Sequence, residues 1–189
     1  RLDQTMNEFA DSLKTRWPLE DVLGIDIIAA AQRRIEEQLG LPSKTEEIDD
    51  GLWLRAESFS LVFSICCLAF RLLEHYQIKE LRFRLQPFGK LAYLDVIWSG
   101  HAMSSETFYT WETEPMQVGT ENSPLSLRDV INRHGGEVWY QRDKAAHCAF
   151  FRLVLPVAIP ETQAESEAID ASQMRPEYYD FDLFHFRDQ

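Results

Sequence analysis

Apolar positions recur along this chain at two periods, and their succession predicts an alternation of helices and strands. Between Ile25 and Leu39, the residues Ile28, Ala31, Ile35 and Leu39 fall on one helical face, with Gln32, Arg33, Glu36 and Glu37 on the other. Gly40 and Pro42 stop that helix, as a glycine past the last turn and a following proline do. Ser43–Ile48 and Leu52–Arg55 predict two short strands, with Asp49-Asp50-Gly51 between them as a hairpin turn. Glu57–Glu74 predicts a helix that is apolar on nearly every face (Phe59, Leu61, Val62, Phe63, Ile65, Leu68, Phe70, Leu72, Leu73), the pattern of deep burial. Leu81, Phe83 and Leu85 then alternate with Arg82, Arg84 and Gln86, a half-buried strand that Pro87-Phe88-Gly89-Lys90 turns into a second strand, Leu91–Trp98. His101–Pro124 is weakly patterned and predicts a long loop or lid with one short helix near Glu106–Trp111. Ser126-Leu127-Arg128-Asp129 is a capping box opening a helix that ends at Gly135, and Glu137–Gln141 with His147–Leu155 predicts a terminal hairpin closed by Pro156.

The flanks read differently. Residues 1–17 are polar and predict the end of a connecting helix, reset by Pro18, and residues 18–158 form the domain. From Ile159 to Met174 the composition turns to Glu, Ala, Ser and Gln, a linker. Arg175–Phe186 is dense in aromatics, with Tyr178, Tyr179, Phe181 and Phe184 as candidate docking residues against this domain or a neighbour, so residues 159–189 are read as a linker with a docking segment.

Composition narrows the function classes. A length of 189 residues with 45% apolar and 12% aromatic residues suits one medium globular domain. A net charge of −12 argues against direct nucleic-acid binding, which needs Lys and Arg to neutralise phosphates. Three cysteines, two of them adjacent (Cys66 and Cys67), give neither a zinc spacing nor a disulfide framework, and point to a reducing, cytoplasmic setting. The longest apolar run, Leu61–Phe70, is shorter than the roughly 20 residues that cross a bilayer. A start at Arg1 suggests a piece of a longer protein, which could itself be attached to a membrane.

Leu94-Asp95-Val96-Ile97-Trp98-Ser99-Gly100-His101-Ala102-Met103 resembles the first glycine box of the ATP-binding domain shared by histidine kinases, gyrase, heat-shock protein 90 and MutL. The helix, His134-Gly135-Gly136 turn and strand over Leu127–Trp139, and the closing Phe150–Pro156 strand ending in Leu-Pro, resemble the same family, and the element order agrees over about Leu19–Pro156. The resemblance implies a two-layer α/β sandwich of the histidine-kinase ATPase type, a mixed sheet with helices on one face. It also implies a vestigial nucleotide pocket. Trp98 stands where the family has its adenine-reading aspartate, and Ala102 replaces the second glycine after Gly100. Cys67 and Arg71 fall at the two asparagine positions of the central helix, which hold Mg²⁺. Pro124-Leu125-Ser126-Leu127, with Ser126 at its centre, aligns with the second glycine box, its glycines gone. Neither ATP nor Mg²⁺ is therefore expected as cofactor, no metal site and no catalytic residue is assigned, and His134, Gly135 and Gly136 are read as a fold turn.

Arg175-Pro176-Glu177-Tyr178-Tyr179-Asp180-Phe181-Asp182-Leu183-Phe184, with Trp98-Ser99-Gly100 and Trp111-Glu112-Thr113-Glu114, is similar to the region preceding a 3′–5′ exonuclease of the DNA polymerase III epsilon type in bacterial multidomain proteins. That resemblance implies a pseudokinase-like regulatory or scaffolding module of a signalling or exonuclease protein. Its partners would be a downstream exonuclease domain and upstream sensor segments of the same chain, with a homodimer also expected as an option. Two alternatives stay open: a divergent ATP-binding kinase or ATPase domain, and a module binding another small ligand beside Trp98, His101 and Trp111.

Overall fold

The computed structural model describes residues 17–100 and 102–158. Along them run β1 (Glu20–Leu23), α1 (Gly24–Leu39), β2 (Ser43–Ile48), β3 (Trp53–Ala56), α2 (Ser58–Tyr76), β4 (Leu81–Phe88), β5 (Leu91–Ser99), α3 (Ser105–Thr113), β6 (Pro115–Val118), β7 (Glu121–Ser126), α4 (Leu127–Arg133), β8 (Glu137–Asp143) and β9 (Cys148–Pro156). The main sheet has the order β2-β4-β5-β9-β8. Its β2–β4 pair is parallel and the others antiparallel, so the sheet is mixed. The parallel pair follows from α2 lying between the two strands in sequence, since parallel neighbours need a crossover.

Strand alternation sorts the sheet into two faces. Phe83, Leu85, Leu94, Val96, Phe151, Leu153 and Leu155 join one cluster with Ile28, Ala31 and Ile35 of α1, Leu61, Ile65, Leu68 and Leu72 of α2, and Val130 and Ile131 of α4. This is the expected two-layer sandwich with its helices on one face. Burying each such side chain contributes about 1.5–3 kcal/mol, so the helical layer holds the sheet by area rather than by any one contact. The helix ends follow the sequence signals. Gly40, at φ 63°, closes α1 by donating to Glu36 O at 3.0 Å. Glu57 caps α2 by accepting from Ser60 N at 2.6 Å.

Several expectations need correction. The Asp49-Asp50-Gly51 turn does not make a hairpin, because β3 pairs antiparallel with β1 while β2 pairs with β4. The stretch read as a loop up to Pro124 contains, beside α3, an antiparallel β6–β7 hairpin. Pro87 and Phe88 belong to β4, leaving Gly89 and Lys90 as the turn. Phe59 is not core: it is 68% exposed on the first turn of α2, although Leu61–Ala69 is buried without interruption. With 19 residues, α2 is long and apolar enough to cross a membrane by length and composition, unlike its inner apolar run; 56% of that window is buried, which makes it the core helix of this fold. Residues 1–16 and 159–189 lie outside the described residues, and with them the connecting helix, the linker and the docking residues Tyr178, Tyr179, Phe181 and Phe184.

Candidate functional site

Alternation along β5 points Trp98 toward the helices with Leu94 and Val96, and its ring is 1% exposed. It meets Phe151 of β9 at 4.8 Å between centroids and stacks on Tyr140 of β8 at 6.1 Å. Above them lies α3. Phe108 stacks on Phe151 at 5.7 Å, and Trp111, one turn later, meets Phe151 at 6.1 Å, Tyr76 at 5.9 Å and His75 at 5.4 Å. Seven rings thus fill the space between the end of β5, α2 and α3. The Trp98 Nε1–H is buried without an acceptor among the described residues. An orphaned donor of that kind costs about 1–3 kcal/mol, so the indole is held there for its volume and not for its N–H.

Two tethers hold α3 over this cluster. Tyr140 Oη accepts from Met103 N at 2.8 Å just before the helix. After it, the Arg71 guanidinium donates to the carbonyl of Trp111 and, at 3.3 Å, to that of Pro115, where a cation suits the negative end of a helix. Cys67, one turn before Arg71 on α2, is buried beneath β6. Burial pushes its thiol up, against the opposing pull of Arg71 and of the Gln117 N–H. Burial likewise pushes Cys66 up to about 12, with Arg34 opposing. Cys66, Cys67 and Cys148 are all free and buried, the environment of inert thiols. The β6–β7 hairpin is fastened at its tip, where Arg34 of α1 pairs with Glu121 while lying 5.3 Å from the Phe63 ring.

The other residues singled out from the sequence lie apart from this cluster. Gly100 and Ala102 are exposed, and Gly100 sits at φ 129°, a backbone that favours glycine; His101 lies outside the described residues. Ser126 is buried at the N-terminus of α4, accepting from Asp129 N at 3.1 Å while Asp129 accepts from Ser126 N at 3.0 Å. The predicted capping box is therefore in place, and it occupies the Ser126 hydroxyl. His134 is buried at the end of α4. Its Nε2 accepts from Glu57 N at 3.0 Å, and its Nδ1 donates to Val130 O at 2.7 Å. Burial holds the imidazole below its ordinary pKa, so the neutral ring joins the start of α2 to the end of α4. Gly135 takes φ 69°, and any Cβ on Gly136 would overlap the Val154 carbonyl oxygen. All three residues serve the turn.

A feature not anticipated from the sequence is an open cleft of about 530 Å³ on the outer side of the hairpin. Phe59, Phe63, Met116, Leu125 and Val130 form its apolar wall, and Glu57 and Asn122 contribute polar groups. Exposed Phe59 stacked on Phe63 at 6.5 Å was legible only as part of a buried helix. By contrast Trp98 and Trp111, expected beside a remodelled pocket, are both buried.

No protein family's sequence profile matches the chain, and no curated protein matches it. Solved structures do. The catalytic domain of histidine kinase ThkA in a nucleotide-free form superposes with a TM-score of 0.57 at 15% identity, covering 73% of this chain and 95% of that one. The ATP-binding domain of PrrB from Mycobacterium tuberculosis gives 0.58 at 12% identity, covering 75% and 99%. The histidine kinase domain of the E. coli osmosensor EnvZ gives 0.54 at 13% identity, covering 76% and 92%. The fold of this chain is that of the histidine-kinase ATP-binding domain.

Proposed function

We propose that this chain is a histidine-kinase-like module whose nucleotide cradle is filled by its own side chains, and that it serves as a regulatory scaffold without catalysis of its own. The packing of Trp98 is the observation that carries this. If Trp98 stands at the adenine-reading position, the space for a base is occupied by an indole locked against Phe151 and Tyr140, on which Phe108 of α3 packs in turn. Losing a hydrogen bond to a charged group costs about 1.5–3 kcal/mol, which lowers affinity roughly tenfold to a hundredfold before the steric conflict is counted. The two residues aligned with the magnesium-holding asparagines support the same view. Cys67 offers a protonated thiol under β6, and Arg71 is a cation engaged with two carbonyls. Mg²⁺ takes oxygen ligands, so neither residue suits it.

The aromatic linker motif supports a place upstream of a 3′–5′ exonuclease of the DNA polymerase III epsilon type in a cytoplasmic or membrane-attached signalling protein. There the module would relay state from upstream sensor segments, with a homodimer as the assembly to look for. Calorimetric titration with Mg·ATP tests the closed cradle: absence of saturable heat through millimolar nucleotide is expected, and saturation at micromolar levels would establish a divergent ATPase or kinase instead. Sequence downstream of residue 189 lacking the exonuclease carboxylates would defeat the nuclease context. A second function, binding of another small ligand, is favoured by the 530 Å³ cleft, whose size lies in the range of ligand sites. Metabolites that raise the melting temperature while ATP does not would select it.

A further inference from the structure

The 530 Å³ cleft outside the β6–β7 hairpin is apolar along its walls, and its two charged lining residues, Glu57 and Glu121, are both acids. No Lys or Arg lines it among the described residues. Two cations stand at its border. Arg34 pairs with Glu121, which also accepts from Gln38 at 3.5 Å, and its guanidinium lies 5.9 Å from the Phe59 ring and 5.3 Å from the Phe63 ring. Arg133 lies 5.0 Å from the Trp17 ring, with its Nη1 buried. Asp129, next to the lining residue Val130, is committed to the Ser126 capping box. With Arg34 and Glu121 satisfying each other, Glu57 is the lining acid that has no ion pair among the described residues.

The polar groups of the cleft are therefore acceptors in want of a donor. Glu57 accepts from Ser60 N at 2.6 Å, and a carboxylate has about four lone-pair sites, so most of its capacity is open. Its backbone N–H goes to His134, whose ring burial keeps neutral and which therefore brings no compensating charge. The uncharged donors nearby serve the backbone: Ser60 Oγ donates to Glu57 O at 3.3 Å, and Asn122 Nδ2 to Thr120 O at 3.4 Å. A ligand carboxylate would meet two like charges here, whereas a ligand cation would meet a free carboxylate beside aromatic rings. Ring faces attract cations within about 6 Å, and Phe59, 68% exposed, has surface to spare beyond its contact with Arg34. A net charge of −12 draws cations toward the same opening.

We propose that this cleft binds a hydrophobic amine, its apolar body against Phe59, Phe63, Met116, Leu125 and Val130 and its one protonated nitrogen donating to the Glu57 carboxylate. The assignment rests on the cleft being a small-ligand site and adds the charge and shape of what enters it.

Three probes that share one body test this: 4-phenylbutylamine, 4-phenylbutanol and 4-phenylbutanoate, each titrated into the whole chain carrying methyl-labelled methionine. The expected result is a saturable NMR shift of the Met116 methyl with the amine, while Met103, which does not line the cleft, stays in place. The alcohol should bind roughly tenfold more weakly, the step by which a charge-assisted hydrogen bond exceeds a neutral one. The carboxylate should give no saturation at millimolar concentration. Glu57→Gln keeps an oxygen for Ser60 N and should bring the amine down to the level of the alcohol, and Leu125→Trp, which fills the cleft, should abolish the Met116 shift. Equal binding of all three probes, or amine binding unchanged in Glu57→Gln, would overturn the amine assignment while leaving the cleft a ligand site. No Met116 shift with any probe would overturn the ligand site as well.

Discussion

Replacing Trp98 probes the buried aromatic cluster most directly. A buried tryptophan hides about 200 Å², worth roughly 5 kcal/mol at about 25 cal/mol per Å². Its contacts with Phe151 at 4.8 Å and Tyr140 at 6.1 Å add about 0.5–1.5 kcal/mol each. Against this stands the orphaned Nε1–H, which costs about 1–3 kcal/mol. Trp98→Ala should therefore lose about 3–7 kcal/mol, at or above the roughly 3–5 kcal/mol usual for deleting a large core aromatic. Trp98→Phe keeps a ring against Phe151 and removes the unsatisfied donor, so its loss should stay within about 1 kcal/mol. Urea denaturation reads both as a shift in midpoint at constant slope. If the alanine variant lost under about 1 kcal/mol, the indole would not be core; if phenylalanine lost as much as alanine, the assignment of its N–H as unsatisfied would be wrong.

Three other perturbations have expected outcomes. Burial lowers the His134 pKa below the ordinary 6.5, so the unfolded chain takes up the proton more readily; stability should be flat above pH 6.5 and fall below it by up to about 1.4 kcal/mol per pH unit, a slope that His134→Gln should flatten in urea titrations at several pH values. Gly136→Ala forces a methyl into the Val154 carbonyl and should prevent stable folding or cost more than about 3 kcal/mol, whereas Gly135→Ala, strained only by φ 69°, should cost about 1–2 kcal/mol by thermal melting. Arg71→Met should free the end of α3, costing about 1–3 kcal/mol and raising amide exchange in Phe108–Thr113 above that of α2.

Legible and hidden features divide along a physical line. Local signals were legible: the amphipathic face of α1, the apolar run of α2, the alternation of β4 and β5, and the Ser126–Asp129 box are each written within a few residues. Pairing between distant segments was not. The Asp49-Asp50-Gly51 turn is a sound hairpin signal, yet β3 finds β1, a strand of four residues with no pattern of its own. The β6–β7 hairpin shows only Met116 and Val118 as buried residues on its first strand, and its fastening depends on Arg34 of α1 meeting Glu121. At the candidate site, an apolar indole at position 98 was visible in the sequence, but the Arg71 tether to the Trp111 and Pro115 carbonyls was not, because a backbone acceptor leaves no residue type to read. The face holding Arg84, Asp95 and Arg152 reads as an ordinary half-polar strand surface, since the sharing of one carboxylate by residues on three strands is invisible until the strands are paired.

The His134 imidazole has a mechanical consequence. One neutral ring grips the first turn of α2 and the last turn of α4, and the Trp17 ring meets it edge-on at 6.1 Å. Hydrogen bonds tolerate roughly half an ångström of slack, so the two helices cannot slide past each other there without letting go. Tension arriving along the polypeptide at Trp17 is delivered to both helices together, and the crossbeam conveys load across the helical layer instead of dissipating it.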